Sequence, residues 1–263
     1  MRRVFIFLFL LVGLAGFTAS VQAQAPQKIG IVLLHGKLGA RMGGWLVDAL
    51  KNAGYLVATP EMCWSGERRF DRTYPDCLAE VDAAISSLKA QGATSIVVGG
   101  LSLGGNAALA YGATHTGLAG IIGLSPADNP ASKMQRSPQF AASVAKAQDL
   151  VAQGKGDEKT SFDDTNTGPK GSYPMTVDST PRIFLSFNGP DSLANIPANA
   201  AKLKAPLLWV AGSDDPTQSR GPAFAFDKAP PNPLNRYVIV HVSHTQVPDA
   251  AADTVLAWLA ALR

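Results

Sequence analysis

The chain has 263 residues, of which 46% are hydrophobic and 16% are charged, as is usual for a compact globular protein. Its formal net charge of +3 is small and dispersed along the sequence, which argues against a nucleic-acid-binding protein. The charge balance indicates no macromolecular partner.

The first 23 residues have the outline of a signal peptide. Arg2 and Arg3 precede an apolar run over residues 4–17, and small residues offer an A-x-A-like cleavage site after Ala23 or, less neatly, two residues later. An uncleaved anchor is the alternative, but this apolar run is shorter than the roughly 20 residues that span a bilayer. We therefore expect a mature chain of residues 24–263, exported to a periplasm or secreted, with no stable membrane span after cleavage.

The mature length fits one large α/β domain better than two small ones. Short apolar runs, bounded by Gly, Pro, Ser or Asp, alternate with longer segments of helical period, which is typical of a mostly parallel central sheet. Their near-continuous apolarity indicates strands that are buried on both faces. The predicted strands are residues 29–34, 55–59, 95–99, 120–124, 206–211 and 237–242.

Three amphipathic or alanine-rich segments are predicted to be helices that flank this sheet. The first begins near Pro75 and ends before Gly92, because apolar residues recur there at steps of three and four. The second covers residues 103–113 and is rich in alanine. The third covers residues 248–262, with its large apolar side chains along one face.

The segment of residues 125–204 breaks the alternation of strands and helices. It contains many prolines around a polar, glycine-containing middle. We expect it to be an inserted cap or lid, with a helix at residues 139–153 and either a short strand or an apolar lid surface at residues 182–187.

The two cysteines of the chain, Cys63 and Cys77, are predicted to form a disulfide, because the export signal places both where disulfides persist. Closing a loop of this length restricts the unfolded chain by roughly 3 kcal/mol. Two free thiols are the alternative.

Gly100-Leu101-Ser102-Leu103-Gly104 lies directly between a predicted strand and an alanine-rich helix. A nucleophile on such a tight turn needs small residues two places on either side, and Gly100 and Gly104 meet that need. The amides at the helix start point at the negative charge that develops in acyl transfer, so Leu103 N–H is one candidate oxyanion donor. The pattern predicts Ser102 as a nucleophile; an ordinary turn is the alternative.

An activated serine requires a histidine within hydrogen-bonding reach and a carboxylate behind it. Of the four histidines, His244 follows the last predicted strand, at its carboxyl end, whereas His241 is expected to be a packing or surface residue. For the carboxylate, Asp214 and Asp215 are equally placed by spacing. Pro216 fixes the turn after Asp215, and the order Ser, Asp, His suits this assignment. An Asx turn is the alternative role for either aspartate.

His35-Gly36-Lys37 follows the first strong strand, and with the elements above it completes a specific resemblance. Over residues 28–262 the chain resembles the α/β-hydrolase superfamily, which has His-Gly after an early strand, a nucleophile elbow, a late Gly-x-x-Asp and a histidine before the last helix. The resemblance implies an α/β-hydrolase fold with Lys37 N–H as the second oxyanion donor and His35 as a structural residue. It also selects Asp215 as the triad acid, with Asp214 as the runner-up. Lys37 stands where some lipases have a further glycine.

The resemblance implies a serine hydrolase that cleaves an ester or thioester of a small-molecule acyl substrate, with no cofactor and no metal. A peptidase of the same fold and a non-catalytic binding protein are the alternatives. Arginines within residues 67–72 form either a solvated loop or a site for a substrate carboxylate. Aromatic side chains of the insert either line an acyl pocket or cover the core; they are Phe140, Phe162, Tyr173, Phe184 and Phe187.

Overall fold

The computed structural model describes residues 28–262, so the predicted signal peptide lies outside the described residues. Within this range no helix is long and apolar enough to span a membrane. The main sheet has six parallel strands in the order β2-β1-β3-β4-β7-β8. These strands are β1 (Ile29–Leu34), β2 (Leu56–Ala58), β3 (Ser95–Leu101), β4 (Gly120–Leu124), β7 (Leu207–Gly212) and β8 (Arg236–Val240). The expected mostly parallel sheet is confirmed.

Helices cover both faces of this sheet, as predicted. One face packs against α2 (Tyr74–Ala90), α3 (Leu103–Thr114) and α7 (Ile196–Ala200). The other packs against α1 (Trp45–Asn52), α8 (Val247–Ala250) and α9 (Ala252–Ala260). The predicted C-terminal helix is therefore broken into two pieces. The strands β1, β4 and β7 are buried throughout, because apolar helices lie on both sides of them.

The segment between β4 and β7 holds six elements, none of which adds a strand to the main sheet. They are α4 (Pro130–Arg136), α5 (Pro138–Ala152), the antiparallel hairpin of β5 (Thr160–Gly168) and β6 (Gly171–Ser179), α6 (Pro181–Asn188) and α7. The predicted helix at residues 139–153 is present as α5. The strand alternative at residues 182–187 is wrong, because Pro181 starts a helix that Thr180 caps by accepting a hydrogen bond from Ile183 N–H.

The aromatic residues of the insert divide into three groups. Phe140, Phe162 and Phe184 form a small separate core that joins α5, β5 and α6, so these three serve packing. Phe187 packs against the aromatic rings around Tyr74, and Tyr173 is about half exposed. The alternative that these aromatics cover a core is correct for Phe140, Phe162 and Phe184.

The predicted disulfide between Cys63 and Cys77 is present, with 5.7 Å between the two Cα atoms. It joins the loop after β2 to the first turn of α2. Arg68 in the intervening loop contacts Glu80 Oε1 at 2.6 Å and Asp71 Oδ1 at 3.0 Å. Arg68 is thus engaged in holding its own loop to α2, which corrects the expectation that it could meet a substrate.

Candidate active site

Ser102 occupies a left-handed backbone conformation between β3 and α3, with φ 57° and ψ −118°. A non-glycine residue adopts such a conformation only where the surrounding structure enforces it. A Cβ on Gly100 would lie 2.5 Å from the carbonyl carbon of Gly104, and one on Gly104 would overlap the carbonyl oxygen of Leu34. The sharp turn between β3 and α3 is therefore possible because residues 100 and 104 are both glycine.

His244 lies in a short 3₁₀ turn after β8, and its ring is buried against Asp215. The His244 Nδ1 atom is 2.6 Å from Asp215 Oδ2. The other oxygen of Asp215 accepts hydrogen bonds from the amide and hydroxyl of Thr217, at 2.9 and 2.7 Å. Burial, the largest single influence, opposes ionisation of Asp215. The hydrogen bond and charge of His244 and the hydrogen bonds from Thr217 and Ser125 together outweigh it, so the pKa of this carboxyl is lowered. Asp215 is thereby held as a carboxylate that orients the imidazole.

Asp214 is exposed, and its carboxylate accepts a hydrogen bond from the neighbouring Ser213 hydroxyl. The two aspartates that the sequence places equally are therefore distinguished by the fold, since only Asp215 contacts His244. His241 is exposed just beyond the end of β8, as expected of a surface residue.

The Nε2 atom of His244 is buried and has no hydrogen-bond partner among residues 28–262. Ser102 Oγ is therefore not bonded to it in this structure, although the Ser102 side chain is also buried. Both residues lie at the carboxyl edge of the sheet. The end of β4 links them. Leu124 O accepts a hydrogen bond from Ser102 N–H, and the next residue is Ser125. Ser125 in turn hydrogen-bonds to Asp215 and contributes to its lowered pKa.

The loop after β1 lies against Ser102. A Cβ on Gly36 would be 3.4 Å from the Ser102 Cβ. His35 supports this loop, since its Nε2 accepts a hydrogen bond from Met62 N–H at 3.0 Å and its Nδ1 lies 2.8 Å from Gly36 O. Burial lowers the pKa of His35, which keeps the ring neutral. His35 thus sits in a supporting position, as the resemblance implies.

The side chain of Lys37 enters a buried cluster of charges that sequence reasoning missed. Its ammonium group lies 2.5 Å from Asp128 Oδ1 and 3.0 Å from Asp164 Oδ2. Lys133 contacts the same two carboxylates and also Asn188. These five residues come from the β1 loop, the β4 loop, α4, β5 and α6, so no local sequence pattern could have united them.

Attraction within this cluster compensates for its burial. Burial opposes the charge on Lys37, but Asp128 and Asp164 outweigh it and raise the pKa of Lys37. Burial likewise opposes the charge on Asp164, yet Lys133 and Lys37 lower the pKa of that carboxyl. For Lys133, burial dominates and lowers the pKa. The cluster ties the loop after β1 to the hairpin strand β5.

The β5–β6 hairpin lies over the residues named above. β5 packs against the turn that holds His244, and β6 packs against the turn after Asp215, where Pro216 lies 3.6 Å from a Cβ built on Gly171. Ser102 is 4% exposed and His244 is 1% exposed. A small cavity remains beside Leu103, lined also by Lys37, Phe70 and Phe187. The hairpin therefore lies next to the turns that carry His244 and follow Asp215.

The solved structures that resemble the chain include the monoacylglycerol lipase of Paleococcus ferrophilus, with a TM-score of 0.64, 20% identity and coverage of 89% of this chain and 95% of the other. A metagenome-derived lipolytic enzyme of the pair LipS and LipT has a TM-score of 0.62, 18% identity and coverage of 90% and 94%. The thioesterase domain from the curacin biosynthetic pathway has a TM-score of 0.56, 16% identity and coverage of 89% and 91%.

At these identities the likeness concerns the fold alone. A comparison with proteins of curated function gave no match. The sequence profile described as the alpha/beta hydrolase family matches residues 31–258, which is most of the chain. The protein therefore belongs to the alpha/beta hydrolase family.

Proposed function

We propose that this protein is a serine hydrolase that cleaves an ester or thioester of a small acyl substrate through Ser102, His244 and Asp215. The observation that carries the proposal is the state of His244. Its Nδ1 is bonded to a buried carboxylate, while its Nε2 is buried and unpartnered among the described residues. A histidine held in this way is oriented to accept a proton through Nε2.

The reaction follows from this arrangement. Ser102 Oγ attacks the acyl carbonyl while His244 Nε2 takes its proton, and the amides of Leu103 and Lys37 stabilise the oxyanion. His244 then returns the proton to the leaving group. Water, activated in the same way, releases the acyl group from Ser102. Asp215 keeps the imidazole in one orientation and stabilises its protonated form.

Access to Ser102 requires the hairpin to move. Because both Ser102 and His244 are buried, a substrate carbonyl reaches the serine only when β5 and β6 shift away from the turns at His244 and Asp215. We therefore assign the insert of residues 125–204 the role of a lid. The role rests on the packing of the hairpin over these two turns.

Export is part of the proposal. The N-terminal sequence has the features of a signal peptide, and a disulfide joins Cys63 and Cys77, which suits an oxidising compartment. Expression of the full chain in a Gram-negative host, followed by fractionation and N-terminal sequencing, should give a periplasmic protein that begins near Gln24. A cytoplasmic protein that retains Met1 would contradict export.

The hydrolase is tested with p-nitrophenyl esters of increasing acyl length and with a fluorophosphonate probe. Ser102→Ala should abolish turnover and labelling. Asp215→Asn and Asp214→Asn form a matched pair of neighbouring aspartates, and only Asp215→Asn should lower kcat, by about 10⁴-fold as in other triads. Equal kcat values for Asp215→Asn and Asp214→Asn would show that Asp215 does not take part in the mechanism.

The rival functions have their own readouts. Turnover of a peptidyl p-nitroanilide in preference to every ester would indicate a peptidase. A folded wild-type protein that neither labels nor hydrolyses any ester or amide would favour a binding protein of the same fold.

A further inference from the structure

A small polar cleft opens beside the candidate active site, between the lid hairpin and the main body of the protein. Its walls come from the β4 loop, α4, both strands of the hairpin and the turn after Asp215. Hydroxyl and amide side chains line it; they belong to Asn129, Ser132, Thr165, Thr167, Ser172 and Thr217. Such a lining suits a polar ligand group.

Two arginines, Arg136 and Arg220, stand together at this cleft. Arg220 lies 3.9 Å from the ring centre of Phe224 and donates a hydrogen bond to Ser132, so its guanidinium is fixed in place. Arg136 makes no hydrogen bond or ion pair with any residue that the structure describes. Neither arginine has a carboxylate partner in the described range.

No free carboxylate among the described residues that line the cleft balances the positive charge of the two arginines. Among the described residues that line it, Asp128 carries the only carboxylate, and Lys37 and Lys133 already engage that carboxylate. Burial and, to a smaller extent, repulsion from Arg136 lower the pKa of Arg220, so the two guanidinium groups are close enough to interact. Both arginines are exposed to solvent and neither has a carboxylate partner among the described residues, so both guanidinium groups can donate to one bound anion.

The cleft is directly connected to the candidate catalytic residues. Ala127, in its wall, donates its amide to the carbonyl oxygen of Ser102 at 3.1 Å. Thr217, in the opposite wall, donates both its amide and its hydroxyl to Asp215. Ala127 therefore links the cleft to Ser102, and Thr217 links it to Asp215.

We propose that Arg136 and Arg220 form an anion subsite, so that the preferred substrate is an ester that carries a second, negatively charged group. This inference rests on the proposed hydrolase function and names its substrate class. The group is an oxyanion, either a carboxylate or a phosphate, because both match the planar donor fork of arginine. The walls of the subsite include Thr165, Thr167 and Ser172 of the hairpin, so the bound anion also contacts the lid.

Two other arginines of the chain, Arg68 and Arg72, already have carboxylate partners. Arg68 is held by Glu80 and Asp71, and Arg72 also lies 3.5 Å from Glu80. The proposed anion subsite contains no residue of the loop that the sequence suggested, and it depends on two arginines that are 84 positions apart in the chain.

The test compares kcat/KM for p-nitrophenyl butyrate and for mono-p-nitrophenyl glutarate, which differ in a terminal carboxylate. Wild-type protein should prefer the glutarate ester. Arg136→Gln and Arg220→Gln should each lower kcat/KM for the glutarate ester by about tenfold or more and leave the butyrate ester unchanged, since hydrogen bonds to charged groups have this magnitude. Arg236→Gln is the matched control, because Arg236 is exposed at the opposite edge of the sheet.

A second measurement is independent of turnover. Glutarate or inorganic phosphate should raise the Tm of the wild-type protein and not that of the Arg136→Gln, Arg220→Gln double variant. Stabilisation by glutarate alone identifies a carboxylate subsite, and stabilisation by phosphate alone identifies a phosphate subsite. Stabilisation by neither anion, or equal stabilisation of both proteins, overturns the proposal. If the anions bind and no ester is hydrolysed, the proposed function fails and the subsite stands.

Discussion

Lys37 and Asp164 are 127 positions apart in the sequence, yet their side chains meet at 3.0 Å in a buried contact between the loop after β1 and the lid hairpin. The lysine belongs to the loop that lies against Ser102. The contact therefore links the position of the β5–β6 hairpin to the candidate oxyanion loop.

Asp164→Asn should weaken this link. Removing one partner of a buried ion pair leaves a charge without compensation, and the loss of stability should be about 3 kcal/mol. We also expect faster labelling of Ser102 by a fluorophosphonate probe, because the hairpin opens more often. Asp163→Asn changes the exposed neighbour in the same strand and is the control. Identical labelling rates and unfolding free energies for the two variants would show that the contact does not hold the hairpin.

Ser102→Gly should give a more stable protein than Ser102→Ala. Both substitutions remove the hydroxyl, but only glycine adopts φ 57° without strain. The released strain, about 1–3 kcal/mol, exceeds the entropy that glycine adds to the unfolded chain. Urea unfolding should therefore place the glycine variant about 1 kcal/mol higher.

The same pair of substitutions at Ser86 is the control, because Ser86 is exposed within α2. There the glycine variant should be the less stable, by about 1 kcal/mol. The same order at both positions would mean that Ser102 is unstrained.

Gly104→Ala should impair both folding and activity. Its added Cβ would meet the carbonyl oxygens of Leu34 and His35, which are backbone atoms that cannot turn aside. We expect a loss of about 1–3 kcal/mol in unfolding free energy and a reduced kcat at saturating ester. Gly43→Ala has no atom within 4 Å of the added Cβ and should be neutral. A fully active Gly104→Ala protein would show that the turn tolerates a side chain.

The pH dependence of stability should contain a contribution from His35. Burial lowers its folded-state pKa below 6.5, so the unfolded chain binds the proton more readily. Stability is complete above pH 6.5 and decreases as the pH falls from 6.5 toward the folded-state pKa, by up to about 1.4 kcal/mol per pH unit. His35→Gln should flatten the unfolding free energy between pH 5 and 7, and His241→Gln, at an exposed position, should not. Parallel slopes for His35→Gln and wild type would contradict this assignment.

The main sheet was predictable because each of its strands is a short apolar run between helix-breaking or turn-forming residues. The hairpin was not, since β5 carries Asp, Thr, Asn and Ser on both faces and Pro174 lies within β6, so the segment resembles a polar loop. Helix α1 has only 8 residues and begins after Gly44 without a side-chain cap, so it offers little local signal. Asp215 and His244 follow strands and could be anticipated. The charge cluster around Lys37 could not, because Asp128 and Asp164 reach it only through tertiary packing.

The base of the hairpin has a consequence for how this protein can diversify. Thr160 and Ser179 are directly paired, so the two ends of the segment lie side by side. Phe162 and Asp164 anchor the lower part of the hairpin, whereas the residues at its tip, Pro169 and Lys170, can be lengthened or exchanged while the chain re-enters α6 from the same point. A single insertion or deletion could thus change which molecules reach Ser102, while the strands that carry Ser102, Asp215 and His244 are inherited intact.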